Sequence, residues 1–151
     1  MCILDCNLKM SFDTTFTLNP KSQDIDFLTQ KINEDAQKNG IQEKAYSFAF
    51  FMRGAKDNII AGCNGSVIYG SIYADQLWVH EDYRNQGLGT TLMRQVHDYG
   101  REIGCSMASI ATMSFQKASK FYENLGYVCD FERIGYSNGA SCVFMKKILQ
   151  K

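Results

Sequence analysis

The residues best suited to chemistry are Tyr83-Arg84-Asn85-Gln86-Gly87-Leu88-Gly89-Thr90-Thr91-Leu92. They follow a strand-like run, Ile72 to Val79, and open a helical repeat. Glycines at 87 and 89 leave backbone N–H groups uncovered where a helix begins, and the helix dipole adds partial positive charge there. Such a turn holds an anion, most often a phosphate. A Walker loop needs Gly-Lys-Ser/Thr before its helix, and Gly89-Thr90-Thr91 lacks the lysine. A dinucleotide-binding turn needs a third glycine where Leu92 stands, and a βαβ unit opening the chain, which is missing here. The pattern present is Arg84-x-x-Gly87-x-Gly89.

The turn needs a strand before it and a helix after it, and both are legible. Leu88, Leu92, Val96, Tyr99 and Ile103 share one helical face, and Gly104 ends that helix. Ile59 to Ile68 and Ile72 to Val79 read as strands joined at Tyr69-Gly70, and Ala45 to Met52 as a strand before them. Upstream, Phe12 to Leu18 alternates well enough for a strand. A helix is expected from about Lys21 to Asn39, with Ile25, Leu28, Ile32 and Ala36 as its apolar stripe. Downstream, Cys105 to Thr112 reads as a strand and Gln116 to Asn124 as a short helix. Tyr127 to Ile134 and Ser141 to Lys147 form a closing hairpin. The helical crossover from Val79 to Cys105 implies one parallel strand pair. The expected fold is α/β (α+β): a mixed, mainly antiparallel sheet with one parallel splayed pair and helices on both faces.

Composition sets the bounds. The 151 residues, 45% of them hydrophobic, suit one globular domain spanning 1–151, with residues 1–10 as a loose leader. Sixteen Lys+Arg balance sixteen Asp+Glu, so no nucleic-acid or anionic-membrane partner is expected. There is no apolar run of bilayer length, and no signal peptide is expected at Met1–Cys6. Cys63, Cys105, Cys129 and Cys142 sit in apolar strand-like runs, where a thiol behaves as a small hydrophobe. With no Cys-x-x-Cys and only two histidines, no metal is expected, and a cytoplasmic, reduced setting is. Monomer or homodimer is left open.

In combination, three motifs resemble the GNAT superfamily of acyl-CoA N-acyltransferases. One is the glycine loop, similar to that family's pyrophosphate loop. Another is Leu77-Trp78-Val79-His80-Glu81-Asp82-Tyr83-Arg84 leading into it. The third is Ala118-x-x-Phe121-Tyr122-x-x-Leu125-Gly126-Tyr127. The resemblance spans roughly Phe12 to Ile148, and the element order agrees with it. It implies an acetyl-CoA-dependent N-acetyltransferase that passes its acetyl group directly to an amine of a small molecule or peptide in a ternary complex. Many members carry asparagine where Phe115 stands, a hydrogen bond that Phe115 cannot make and that Gln116 could take over.

The resemblance assigns the pyrophosphate to Arg84, Asn85, Gln86, Gly87, Leu88, Gly89 and Thr90, with Arg84 either adding charge or bracing the loop. Leu77, Trp78 and Val79 would offer main-chain groups to the pantetheine arm, a form of strand addition. Gln116, Ala118 and Phe121 complete the cofactor side. Tyr122 is the implied proton donor to the departing thiolate, and a core aromatic is its other reading. A lysine-like amine must lose a proton at pKa ~10.4, which favours a base. Asp75 is the leading candidate, with Tyr73 beside it, on the expectation that Asp75 shares strand parity with Leu77 and Val79. A surface-strand aspartate is the other reading. His80 and Glu81 lie in a loop, and His97 is expected at the surface. No cysteine has the helix start or histidine partner of a nucleophile. Two other functions stay open: a non-catalytic acyl-CoA-binding sensor or scaffold, and a nucleotide-binding domain using the same loop.

Overall fold

The computed structural model describes residues 13–149. Six strands form one sheet in the order β1-β2-β3-β4-β6-β5. They are β1 (Tyr46–Arg53), β2 (Ile59–Ile68), β3 (Ser71–Val79), β4 (Met107–Met113), β5 (Val128–Arg133) and β6 (Cys142–Ile148). The helices are α1 (Ser22–Lys38), α2 (Leu88–Glu102) and α3 (Ser119–Asn124). Every pairing is antiparallel except β3 with β4. No helix among the described residues is long and apolar enough to cross a membrane.

Alternation builds the core. In β2 the residues Ala61, Cys63, Gly65 and Val67 turn to one face and are buried. Leu92, Met93 and Val96 of α2 pack there with Ile72, Ala108, Ile110, Tyr127 and Met145. Burial pushes the Cys63 thiol up to about 11, so it acts as a small hydrophobe. Cys63, Cys105, Cys129 and Cys142 are all free, but Cys129 is exposed, because β5 is an edge strand exposed along its length.

Two upstream expectations need correction. Asp13 to Leu18 forms no strand, whereas Phe12 and the leader at 1–10 lie outside the described residues. The helix at 22–38 forms, yet none of it is buried, and Ile25, Leu28 and Ile32 of its apolar stripe are exposed. Its half-buried positions are Thr29, Asn33, Glu34 and Ala36. A polar clamp fixes that orientation. Asn33 Nδ2 donates to the Ala45 carbonyl and the Ala45 N–H donates to Asn33 Oδ1, both at 2.8 Å.

Two irregularities in β3 matter most. Its parallel pairing with β4 runs only from Ser71–Met107 to Ala74–Ile110, so the strands part after Ala74. Its pairing with β2 shifts between Asn64–Gln76 and Gly65–Ala74, which leaves Asp75 as an extra, unpaired residue. The bulge needs Gly65, where a Cβ would stand 1.9 Å from the Tyr73 carbonyl oxygen. It also breaks the expected parity. Leu77 and Val79, opposite Cys63 and Ala61, join Ile72 and Ala74 on the core face. Asp75 does not share their face.

Candidate active site

The glycine turn is braced from within. A short 3₁₀ turn at Glu81–Tyr83 follows His80, whose Nδ1 accepts from the Asp82 N–H at 3.3 Å. Arg84 Nε donates to the Val79 carbonyl at 3.0 Å, and Gln86 Nε2 donates to the Asp82 carbonyl at 3.1 Å. Arg84 therefore holds the loop against the end of β3, and Gln86 ties it to the 3₁₀ turn. Gly87 sits at φ 81° as the helix N-cap, a conformation costly for residues with a Cβ, and no side chain caps the helix. The first ladder bond is Thr91 N–H to Gly87 carbonyl at 2.9 Å. The N–H groups of Leu88, Gly89 and Thr90 precede it and find no carbonyl one turn back.

These donors open into a cleft of 660 Å³. Leu77 and Val79 of β3 line one wall, and Arg84, Asn85, Gly87, Leu88, Gly89 and Thr90 line the end. Gln116, Ala118 and Phe121 form the far side. Eleven of the residues assigned to the cofactor thus meet around one space. The other two, Trp78 and Gln86, do not line it. Alternation turns Trp78 to the opposite face, and Gln86 is turned back onto the loop. Tyr83, which heads the motif but to which the resemblance assigns no cofactor contact, also lines the cleft. Gln116 Oε1 accepts from Thr112 Oγ1 at 3.0 Å and the Met113 N–H at 2.8 Å, which commits its carbonyl and leaves its amide N–H groups for the cleft.

Tyr122 is 9% exposed and packs edge-on against Phe121 and Tyr127. Burial pushes its phenol up to about 12, with Cys63 and Tyr73 adding to the shift. Its hydroxyl makes no hydrogen bond to another described residue. Among the described residues Tyr69 alone has a sealed, unpaired side-chain oxygen. On the other face Tyr73 Oη donates to Asp75 Oδ1 across a long 3.4 Å. Burial, then the Asp75 charge, raises the Tyr73 phenol.

His97 departs from expectation. It is 3% exposed, and its Nε2 lies 2.9 Å from Tyr127 Oη. Burial, with Lys147 and Arg101 nearby, lowers it to about 4, so it is neutral and structural. Among the described residues no group of three His, Cys, Asp or Glu could hold a metal ion.

Known acetyltransferases resemble this chain in sequence or in fold. A blasticidin-S acetyltransferase of Streptomyces morookaense is 32% identical over 81 residues, 53% of this chain and 59% of that protein. A thialysine N-epsilon-acetyltransferase of Sus scrofa is 32% identical over 57 residues, 37% of this chain and 34% of that protein. The chain thus spans less than two thirds of the length of these curated relatives. Among solved structures, an acetyltransferase from Bacillus cereus superposes with TM-score 0.70 at 22% identity, covering 89% of this chain and 98% of its own. A Bacillus anthracis chain described as a streptothricin acetyltransferase was solved in complex with acetyl coenzyme A. It gives TM-score 0.62 at 18% identity and covers 73% of this chain and 66% of its own. The profile of the acetyltransferase (GNAT) family matches residues 13–127, which include the bulged strand, the glycine turn and the Tyr122 helix. With most of its length under that match, the chain belongs to the GNAT acetyltransferase family.

Proposed function

We propose that this protein transfers the acetyl group of acetyl-CoA directly to an amine of a small molecule or peptide. The observation that carries the reading is the parting of β3 and β4 after Ala74–Ile110. It leaves one edge of β3 unpaired between a cleft rich in backbone donors and a face bearing Asp75. The pyrophosphate fits the N–H groups of Leu88 to Thr90, each such dipole contact contributing ~0.3–1 kcal/mol when exposed. Main-chain groups of Leu77, Trp78 and Val79 can pair with the amides of the pantetheine arm. A free backbone N–H at the splay can then stabilise the developing oxyanion of the thioester carbonyl.

The nitrogen–carbon bond forms as the carbon–sulfur bond breaks. The amine gives up one proton, taken by Asp75 directly or through water, because only the neutral amine attacks. Tyr122, protonated throughout the physiological range, donates its O–H to the departing sulfur. A thiol has pKa ~8.5, so complete transfer from a phenol at about 12 runs uphill. The hydrogen bond to the sulfur as its charge peaks is therefore the larger part of the role of Tyr122. Arg84 acts through the Val79 carbonyl, stiffening the loop.

The test is release of CoA thiol with a panel of amines. Release should require both acetyl-CoA and an amine, and Tyr122→Phe should lower the rate roughly 10²-fold. Acetyl-CoA binding without amine-dependent release would overturn the transferase reading and leave an acyl-CoA-binding module.

A further inference from the structure

Behind the cofactor cleft, on the other face of the sheet, β1, β2 and β3 enclose a trough of 590 Å³. Its wall is Trp78, 48% exposed, with Phe51 and Ile59 near it, both exposed as well. Trp78 lies opposite Gly62, and Gln76 lies opposite Asn64. A Cβ on Gly62 would stand 2.9 Å from the Phe51 ring, so the absent side chain lets that ring lie against the strand. The trough borders the proposed base, because Gln76 directly follows the bulged Asp75. None of its lining residues carries a charge.

Two features identify what it can hold. The exposed Trp78 indole, with the His80 ring edge-on to it at 5.8 Å, and the Phe51 ring lying over Gly62 are flat apolar surfaces, and these favour a flat, apolar body. The carboxamides of Asn64 and Gln76 make no hydrogen bond among the described residues, and each offers both donors and an acceptor. Apart from Asp75 at its border, the trough offers no carboxylate from its lining, so the second and third cations of a polyamine would find no partner there. A planar ring with a mixed donor and acceptor edge meets both the stacking wall and the carboxamides.

We infer that this trough selects the acceptor, and that the acceptor is an amine tethered to an uncharged planar heteroaromatic ring. The ring stacks on Trp78 and Phe51, Asn64 and Gln76 bond its polar edge, and the amine reaches past Asp75 to the splay. This rests on the transferase reading above for its chemistry, but its binding can be measured separately. Trp78 is the only tryptophan of the chain, so its fluorescence reports the trough directly.

The experiment titrates the full chain with aminoethylcytosine, spermidine and a short peptide amine, following indole emission and then CoA release. Aminoethylcytosine should quench the emission saturably and spermidine should not. Its kcat/KM should exceed that of spermidine by about tenfold, the scale of one aromatic contact. Trp78→Ala should raise KM for the ring amine about tenfold more than KM for spermidine, and Trp78→Phe should restore most of the affinity. Asn64→Ala and Gln76→Ala should each raise KM for the ring amine and leave that for spermidine alone. Preference for spermidine or the peptide, equal quenching by all three, or a Trp78→Ala loss of kcat shared by every acceptor would each overturn the assignment. Since the quench needs no turnover, a failed transferase reading and a failed trough are separate results.

Discussion

Tyr122 and His97 are both buried ring residues, but their polar atoms meet different surroundings. The Tyr122 hydroxyl has no hydrogen-bond partner among the described residues, so losing it should cost little stability. Tyr122→Phe is expected to leave the unfolding free energy within ~0.5 kcal/mol while catalysis falls, as read by urea denaturation alongside thiol release. His97 is the opposite case. Its ring is locked to Tyr127, and the Lys147 beside it donates to the Leu125 carbonyl. In the unfolded chain it would take a proton near the ordinary histidine value of 6.5, and in the folded chain only near 4. Between those values the unfolded state binds more protons, so stability falls as pH drops through that window. The loss is up to ~3 kcal/mol. The urea midpoint of the wild type should therefore decline on acidification more steeply than that of His97→Gln.

At the scale of elements, β3 does the positioning. A regular strand would place Ala74, Gln76 and Trp78 on one face. The Asp75 bulge instead returns Leu77 and Val79 to the core side and sends Trp78 to the other. Gly65 is what allows it. Gly65→Ala should drive a Cβ into the Tyr73 carbonyl and cost ~2–3 kcal/mol or more, lowering Tm by about 5–10 °C. Gly87 gives a contrast, because its Cβ position is open and only its φ of 81° objects. Gly87→Ala should cost only ~1–2 kcal/mol of stability, with weaker acetyl-CoA binding as its main effect, measurable by calorimetry.

For the molecule as a whole, ligand and fold are linked. Acetyl-CoA at about a hundred times its Kd should add ~2.7 kcal/mol to stability, a rise in Tm of about 5–10 °C for a chain of this size. A thermal scan checks it, and protection by ATP with none by acetyl-CoA would point to a nucleotide site instead.

Much of this was legible in the residues themselves. β2 spans Ile59–Ile68 as its alternation indicates, and α2 follows its apolar face from Leu88. Gly87 and Gly89 mark the anion turn through local backbone chemistry. The Tyr122 helix was foreseen as well, though it begins at Ser119, after a 3₁₀ turn at Ser114–Gln116. These features depend on neighbours in sequence, and there the pattern of side chains carries the information. What tertiary structure decided depends on partners distant in the chain. Asn33 turned α1 by bonding Ala45, and Tyr127 drew His97 inward. The bulge arose where β2 presented Gly65 to β3, and it set the faces of Asp75 and Trp78. Alternation within one strand cannot reveal an extra residue that only the opposite strand leaves unpaired. The sequence by itself therefore determined the fold and the cofactor turn, and cross-strand register decided the acceptor side of the site.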